Sequence, residues 1–111
     1  MDRYPGATSE ESVKIKLDSY LLNPDHPIGG FKARWYEQAL GFNRNNMDEL
    51  AKQIVFDISK AVPTVLTEYG QKFIQPTIVT GVSGKQIEVK VVWITNPDGV
   101  TRLVTAPPSK K

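Results

Sequence analysis

Cysteine is absent from this chain of 111 residues, and histidine occurs only once. The absence of cysteine excludes a disulfide framework, a thiolate metal site and a cysteine nucleophile. No apolar run approaches the roughly 18 residues that a membrane-spanning helix needs, and the N-terminal segment MDRYPGATSEES lacks the apolar stretch of a signal peptide. We therefore expect no membrane anchor.

Nucleotide and metal cofactors are not expected either. The chain has no glycine spacing typical of a P-loop or a dinucleotide site. Asp18 and Asp25 are not at a recognisable metal-ligand spacing, and they fit roles in caps or turns instead. We predict no metal site and no cofactor.

Net charge is small but unevenly distributed. The formal net charge of +2 is by itself too small to indicate a nucleic-acid partner. Residues 1–70 carry eight Lys and Arg against ten Asp and Glu, whereas residues 71–111 carry six against two. The basic side chains of the last third form either a solvated surface or one that attracts RNA non-specifically; they include Lys85, Lys90, Lys110 and Lys111.

The chain length predicts a single domain at 13–107, preceded by a flexible arm or linker stump at 1–12 and followed by a basic tail at 108–111. The segment VKIKLDSYLL favours an extended start and one helical turn. The segment FKARWYEQAL predicts a helix that buries Phe31, Trp35 and Leu40 and ends at Gly41. Apolar spacing over 47–61 predicts a longer amphipathic helix, which Pro63 ends.

After Gly70 the apolar period changes to two, which predicts three antiparallel strands separated by GVSG and NPDG turns. Pro76 lies in the first strand and cannot donate to a ladder, so that strand is an edge or is bulged there. The core face of the second strand is predicted to carry Ile87, Val89, Val91 and Trp93. The fold class is therefore α+β, with N-terminal helices packed on a small antiparallel β-meander.

His26 lies in the loop NPDHPIGG. Loops often present catalytic groups, and imidazole ionises near neutral pH; the alternative is a surface histidine held between two prolines. Gly29 and Gly30 precede a helix that carries Lys32 and Arg34, so backbone N–H groups and two cations converge near the histidine. This combination suits a phosphate or another anion.

A second group of candidates lies along the closing hairpin. Arg102, Thr95 and Thr105 could hold a phosphate, with Trp93 beside them. The alternative is structural, because threonines suit strands and a tryptophan suits the core.

Two motifs carry a resemblance to a known family, KLDSYLLNPDHPIGGFKARWYEQALGF and VVWITNPDGVTRLVTAPP. Over about residues 14–107 the chain resembles small bacterial and phage domains whose layout is similar to the Barnase, EndoU, colicin D and RelE-like ribonucleases. Such domains are toxin tips of contact-dependent inhibition and other polymorphic toxin systems. Phe31 departs from the family pattern, which has a small polar residue after the glycines.

The resemblance implies roles for single residues. His26 would be the general base or acid, Lys32 would neutralise charge on the phosphorane, and Arg102 and Thr105 would hold phosphate oxygens. Trp93 would be a base-stacking or supporting aromatic. Apart from the resemblance, Arg34 and Lys90 by their charge and Thr95 by its hydroxyl are further candidates for substrate binding. The second proton-transfer role stays open between Lys32, a tyrosine such as Tyr36, and water.

The implied function is a metal-independent ribonuclease toxin that leaves a 2′,3′-cyclic phosphate. The implied partners are RNA, with tRNA favoured, and an acidic cognate immunity protein. The domain would act in the cytoplasm of a target bacterium, delivered as the C-terminal part of a larger secreted protein, or would be cytoplasmic if free-standing. The alternative is a non-catalytic binding module, such as an immunity protein, an antitoxin or a phage accessory domain.

Overall fold

The computed structural model describes residues 10–27 and 30–108, in which three short helices precede a four-stranded antiparallel sheet. This arrangement confirms the predicted α+β class. Of the arm predicted at 1–12, residues 1–9 lie outside the described residues, and residues 10–12 are the start of a helix. Of the tail predicted at 108–111, residues 109–111 lie outside the described residues. The first helix, α1 (Glu10–Lys16), continues into a π-helical turn (Leu17–Leu21). The second, α2 (Gly30–Trp35), continues into another π-helical turn (Tyr36–Leu40). The third, α3 (Met47–Ala51), follows a 3-10 turn (Arg44–Asn46).

The sheet contains β1 (Val62–Thr67), β2 (Gly70–Thr80), β3 (Gln86–Thr95) and β4 (Thr101–Thr105), paired in that order. The last three strands were predicted, whereas β1 was not. The last residue of β2 that pairs with β1 is Ile74. Pro76 therefore lies in the part of β2 that has no β1 residue beside it. Its missing N–H therefore costs no ladder hydrogen bond, and the predicted local edge is confirmed.

The N-terminal segment is helical from Glu10, so the expected extended start is wrong. Val13, Leu17 and Leu21 are spaced by four residues and are at most 1% exposed, whereas Ile15 is 63% exposed. Helical spacing puts the three buried side chains on one face. The burial of that face outweighs the strand-like alternation of the apolar residues.

The second helical segment has the predicted extent but a different buried face. Ala33, Tyr36 and Leu40 are buried, whereas Phe31 is 62% exposed. Gly41 ends the segment with φ of +81°, a conformation that side chains disfavour. A Cβ atom at Gly41 would also come within 2.4 Å of Cγ2 of Val82.

The predicted long helix over 47–61 is wrong, because α3 ends at Ala51. After Ala51, two glutamine side chains connect the chain segment that follows α3 to β2 by hydrogen bonds to backbone groups. The side chain of Gln53 accepts from the N–H of Thr80 at 2.8 Å and donates to its carbonyl at 2.9 Å. The side chain of Gln75 donates to the carbonyl of Val55 and accepts from the N–H of Asp57. Tertiary hydrogen bonds thus replace those of a helix.

The core lies between the helices and one face of the sheet. On β3 the predicted core face is confirmed, since Val89, Val91 and Trp93 are fully buried. The Trp93 ring makes an edge contact with Phe56, which makes another with Phe73. No helix in the described ranges is long and apolar enough to cross a membrane.

Candidate functional site

A cluster of ionisable side chains surrounds Tyr20, at the end of the first helical segment. The His26 ring stands edge-on to the Tyr20 ring, with centroids 4.9 Å apart. Nζ of Lys16, one helical turn earlier, lies 5.4 Å from the Tyr20 ring centroid, and Nζ of Lys32 lies 5.7 Å from it. An aromatic hydroxyl, an imidazole and two ammonium groups therefore meet at one place.

The loop that carries His26 is held by its own backbone. The His26 N–H donates to the carbonyl of Asn23, and the His26 carbonyl accepts from the N–H of Gly30 at 2.9 Å. A Cβ atom at Gly30 would lie only 2.7 Å from the carbonyl oxygen of Pro24, so a side chain does not fit there. The close approach of loop and helix fixes His26 next to the start of α2, which carries Lys32.

Thr105 brings the end of the sheet to the same cluster. The pairing of β3 with β4 is irregular between Val92 and Trp93. Oγ1 of Thr105 is buried and has no hydrogen bond of regular geometry, yet it lies close enough to the Tyr20 hydroxyl to lower its pKa. Because this oxygen is buried, Thr105 acts on the site through the Tyr20 hydroxyl and not by direct contact with a group that enters from solvent.

The electrostatics of the cluster lower the pKa of Tyr20. Partial burial raises the pKa of Tyr20, but hydrogen bonding with Thr105 and Lys32 and the charges of Lys32 and Lys16 outweigh it, so the net pKa lies below the usual value of 10.0. A hydroxyl with a lowered pKa is a better proton donor near neutral pH. The site can thus transfer protons and hold an anion.

Three of the residues predicted from the sequence come together here, namely His26, Lys32 and Thr105. Sequence reasoning missed Tyr20 and Lys16. A signal for them was present, because the motif Lys-Leu-x-x-Tyr sets these two residues four positions apart, on one face of a helix.

Arg102 and Lys90 lie elsewhere. Arg102 donates to Asn96 at 2.6 Å and to Asp98 at 3.1 Å, and its hydrogen bond lowers the pKa of Asp98. Arg102 is paired with Ile94, next to the buried Trp93. Since neighbouring residues of a strand point to opposite faces, Arg102 lies on the face away from the core. Lys90 follows the same alternation and is exposed there.

The remaining candidates have structural surroundings. Trp93 is 0% exposed, which leaves it a supporting role and no face for a base. Oγ1 of Thr95 lies 2.7 Å from Oγ1 of Thr101, so it is already paired across the hairpin. Arg34 is exposed, two positions after Lys32, and a helix turns about 200° over two residues, which separates the two cations.

Tyr36 does not supply the second proton-transfer group. Its hydroxyl donates to the carbonyl of Ala106 at 2.5 Å, and burial raises its pKa. The described residues contain no group of three or more His, Asp or Glu that could hold a metal ion.

Comparison with known proteins identifies the family of this chain. The family model described as "Domain of unknown function (DUF6883)" matches residues 9–110. The chain belongs to the DUF6883 family. Curated proteins give no match. The fold of this DUF6883 domain is similar to that of a chain in a contact-dependent growth inhibition toxin–immunity protein complex from Klebsiella pneumoniae 342, with a TM-score of 0.67, 19% identity and coverage of 96% of this chain and 95% of that chain.

Proposed function

We propose that this DUF6883 domain is a ribonuclease toxin that cleaves RNA at the cluster of Tyr20, His26, Lys32 and Thr105. The observation that carries the proposal is the contact between the His26 and Tyr20 rings with two lysine ammonium groups beside them. Two proton-transfer groups and a positive field are what metal-independent cleavage of RNA needs. The similar fold in a toxin–immunity complex supports a role in such a system.

In the proposed reaction His26 is the general base and Tyr20 the general acid. Ribose holds the 2′-hydroxyl next to the phosphate, so the substrate itself supplies proximity. His26 removes the proton of the 2′-hydroxyl, whose oxygen forms a bond to phosphorus while the bond from phosphorus to the 5′-oxygen breaks. Tyr20 gives its proton to that 5′-oxygen. The products are a 2′,3′-cyclic phosphate and a 5′-hydroxyl.

The other members of the cluster act on charge. The ammonium groups of Lys32 and Lys16 stabilise the negative charge that develops on the phosphorane oxygens. The Thr105 hydroxyl, whose oxygen is buried, acts through Tyr20. It hydrogen-bonds to the phenolic oxygen and stabilises the charge left on that oxygen after proton transfer. Arg102 has no part in this step, because Asp98 and Asn96 hold it at the hairpin turn.

The proposal extends to substrate and partner. We take tRNA as the substrate class and the cytoplasm of a target bacterium as the place of action, with delivery as the C-terminal part of a larger secreted protein. A cognate immunity protein would cover the cluster with an acidic surface, because carboxylates complement Lys16 and Lys32 and speed association.

The test is incubation of the purified chain with total tRNA, followed by analysis of the new 3′ ends. Cleavage with 2′,3′-cyclic phosphate ends supports the proposal, and intact tRNA contradicts it. Expression inside bacteria separates this proposal from its competitor. A toxin arrests growth unless its immunity protein is co-expressed, whereas an immunity protein expressed alone is harmless.

Tyr20→Phe is expected to slow RNA cleavage by about 10²-fold and to change its pH dependence. The general acid works when Tyr20 is protonated, so the rate falls as pH rises through the Tyr20 pKa, which is lowered from 10.0. In rate profiles measured between pH 5 and 10, this fall of the rate at alkaline pH, the alkaline limb, should be absent from the variant. An unchanged limb would remove Tyr20 from the role of acid.

Arg102→Ala is expected to leave the rate of RNA cleavage within about twofold of the parent chain. Arg102 is held by Asp98 at 3.1 Å on the face away from the core, and exposed ion pairs of this kind contribute little to stability. Initial rates with the same RNA measure the effect. A loss comparable to that of Tyr20→Phe would show that Arg102 reaches the substrate.

A further inference from the structure

Phe31 is a large apolar side chain that the core does not use. It is 62% exposed at the first turn of α2. Among the described residues, the only other aromatic side chain with comparable exposure is Tyr69, at 67%, in the turn between β1 and β2. An exposed phenyl ring gains little from the hydrophobic effect while it faces water, so the face of Phe31 is open to a ligand.

The ring of Phe31 lies next to the candidate site. Nζ of Lys32 is 4.8 Å from the Phe31 ring centroid and 5.7 Å from that of Tyr20. One ammonium group therefore contacts both rings. A phosphate bound by Lys32 would have the Tyr20 hydroxyl on one side and the Phe31 ring on the other, within reach of an adjoining base.

The other aromatic side chains near the site are not free to stack on a base. Trp93 and Tyr36 are 0% exposed. The Tyr20 ring is contacted by His26 at its edge and by two lysine ammonium groups. The Lys32 ammonium group also lies over the Phe31 ring, but Phe31 is 62% exposed, so this ring keeps an open aromatic surface at the site.

We propose that Phe31 is a stacking platform for the base next to the scissile phosphate, and that the substrate is RNA with an unpaired nucleotide at the cleavage position. The inference rests on the proposed ribonuclease function. A base inside an A-form helix is covered by its neighbours, so it reaches a protein ring only where the strand is unpaired. The substrate class is therefore single-stranded RNA or the loop of a folded RNA.

The test compares two oligoribonucleotides that share one cleavable phosphate, one with a normal base beside it and one with an abasic ribose there. Phe31→Ala should lower kcat/KM about 5- to 100-fold on the normal oligonucleotide and leave the slower cleavage of the abasic one unchanged. Phe31→Trp should restore the rate, whereas Phe31→Leu should not, because leucine keeps apolar contact with Lys32 but has no aromatic face. Tyr69→Ala is the matched control, and it should change neither rate.

Equal losses of Phe31→Ala on both oligonucleotides would overturn the inference, since they would mean that Phe31 acts on the position of Lys32. The inference is also overturned if Phe31→Ala cleaves both oligonucleotides at the rate of the parent chain. This includes the case in which the variant cleaves RNA normally but binds an immunity protein more weakly. A parent chain that cleaves a fully paired duplex as fast as the unpaired strand would also contradict it. Failure of the ribonuclease proposal looks different, because the parent chain would then cleave neither the two oligonucleotides nor total tRNA.

Discussion

His26→Ala is expected to slow RNA cleavage by about 10²- to 10⁴-fold, the usual contribution of a positioned acid or base. His26 is the single histidine of the chain, so no second imidazole can replace it. Its ring centroid lies 4.9 Å from that of Tyr20. The variant should also lose its toxicity when it is expressed inside bacteria. Single-turnover rates on tRNA, with growth curves in parallel, measure both effects.

The loop of His26 offers a matched control in Asp25→Ala. Asp25 is exposed next to His26, and its backbone N–H donates to the Asn23 side chain, a contact that alanine keeps. We expect nearly full activity from this variant. If Asp25→Ala and His26→Ala lose equal activity, the loop conformation is what matters and the imidazole has no chemical role. Circular dichroism of both variants shows whether they fold.

Trp93→Ala is expected to lower the free energy of unfolding by about 3–5 kcal/mol, the range found when a large buried aromatic becomes alanine. Trp93 is 0% exposed and its ring makes an edge contact with Phe56 at 5.6 Å. The truncation would leave a cavity between the sheet and the helices. Urea unfolding followed by circular dichroism measures the change.

The neighbouring residue on β3 provides the comparison. Ile94→Ala alters the opposite face of the same strand, where the side chain is only partly covered, so a much smaller loss is expected. If Trp93→Ala does not fold, Trp93→Phe keeps most of the volume and reports the direction of the effect. Equal losses at the two positions would contradict the assignment of the core to one face of the sheet.

Three of the four strands could be predicted from the sequence, because their alternation of apolar and polar residues is a local signal. Alternation on β3 identified the core face correctly, down to Val89, Val91 and Trp93. The helical part was harder, since apolar residues at 47–61 fit a helical stripe that the chain does not adopt. Val55 and Ile58 of that stripe are 58% and 63% exposed, because hydrogen bonds from Gln53 and Gln75 to distant backbone decide the conformation.

The candidate site was partly predictable for a related reason. His26 and Lys32 share one motif, so a short stretch of sequence brings them together. Tyr20 was overlooked because its role depends on groups from three separate segments, including Thr105 at the far end of the chain. Arg102 was placed in the site by the predicted hairpin and by the family resemblance, but strand alternation and the ion pair with Asp98 direct it elsewhere.

The double hydrogen bond between Gln53 and Thr80 has a consequence for the behaviour of the chain in concentrated solution. β2 is longer than its neighbour β1, so part of its backbone would otherwise be open to strands of other molecules, the contact from which aggregates grow. The amide of Gln53 occupies both backbone groups of Thr80 as a strand would. A single side chain thereby shields this part of β2 from pairing with a strand of another molecule.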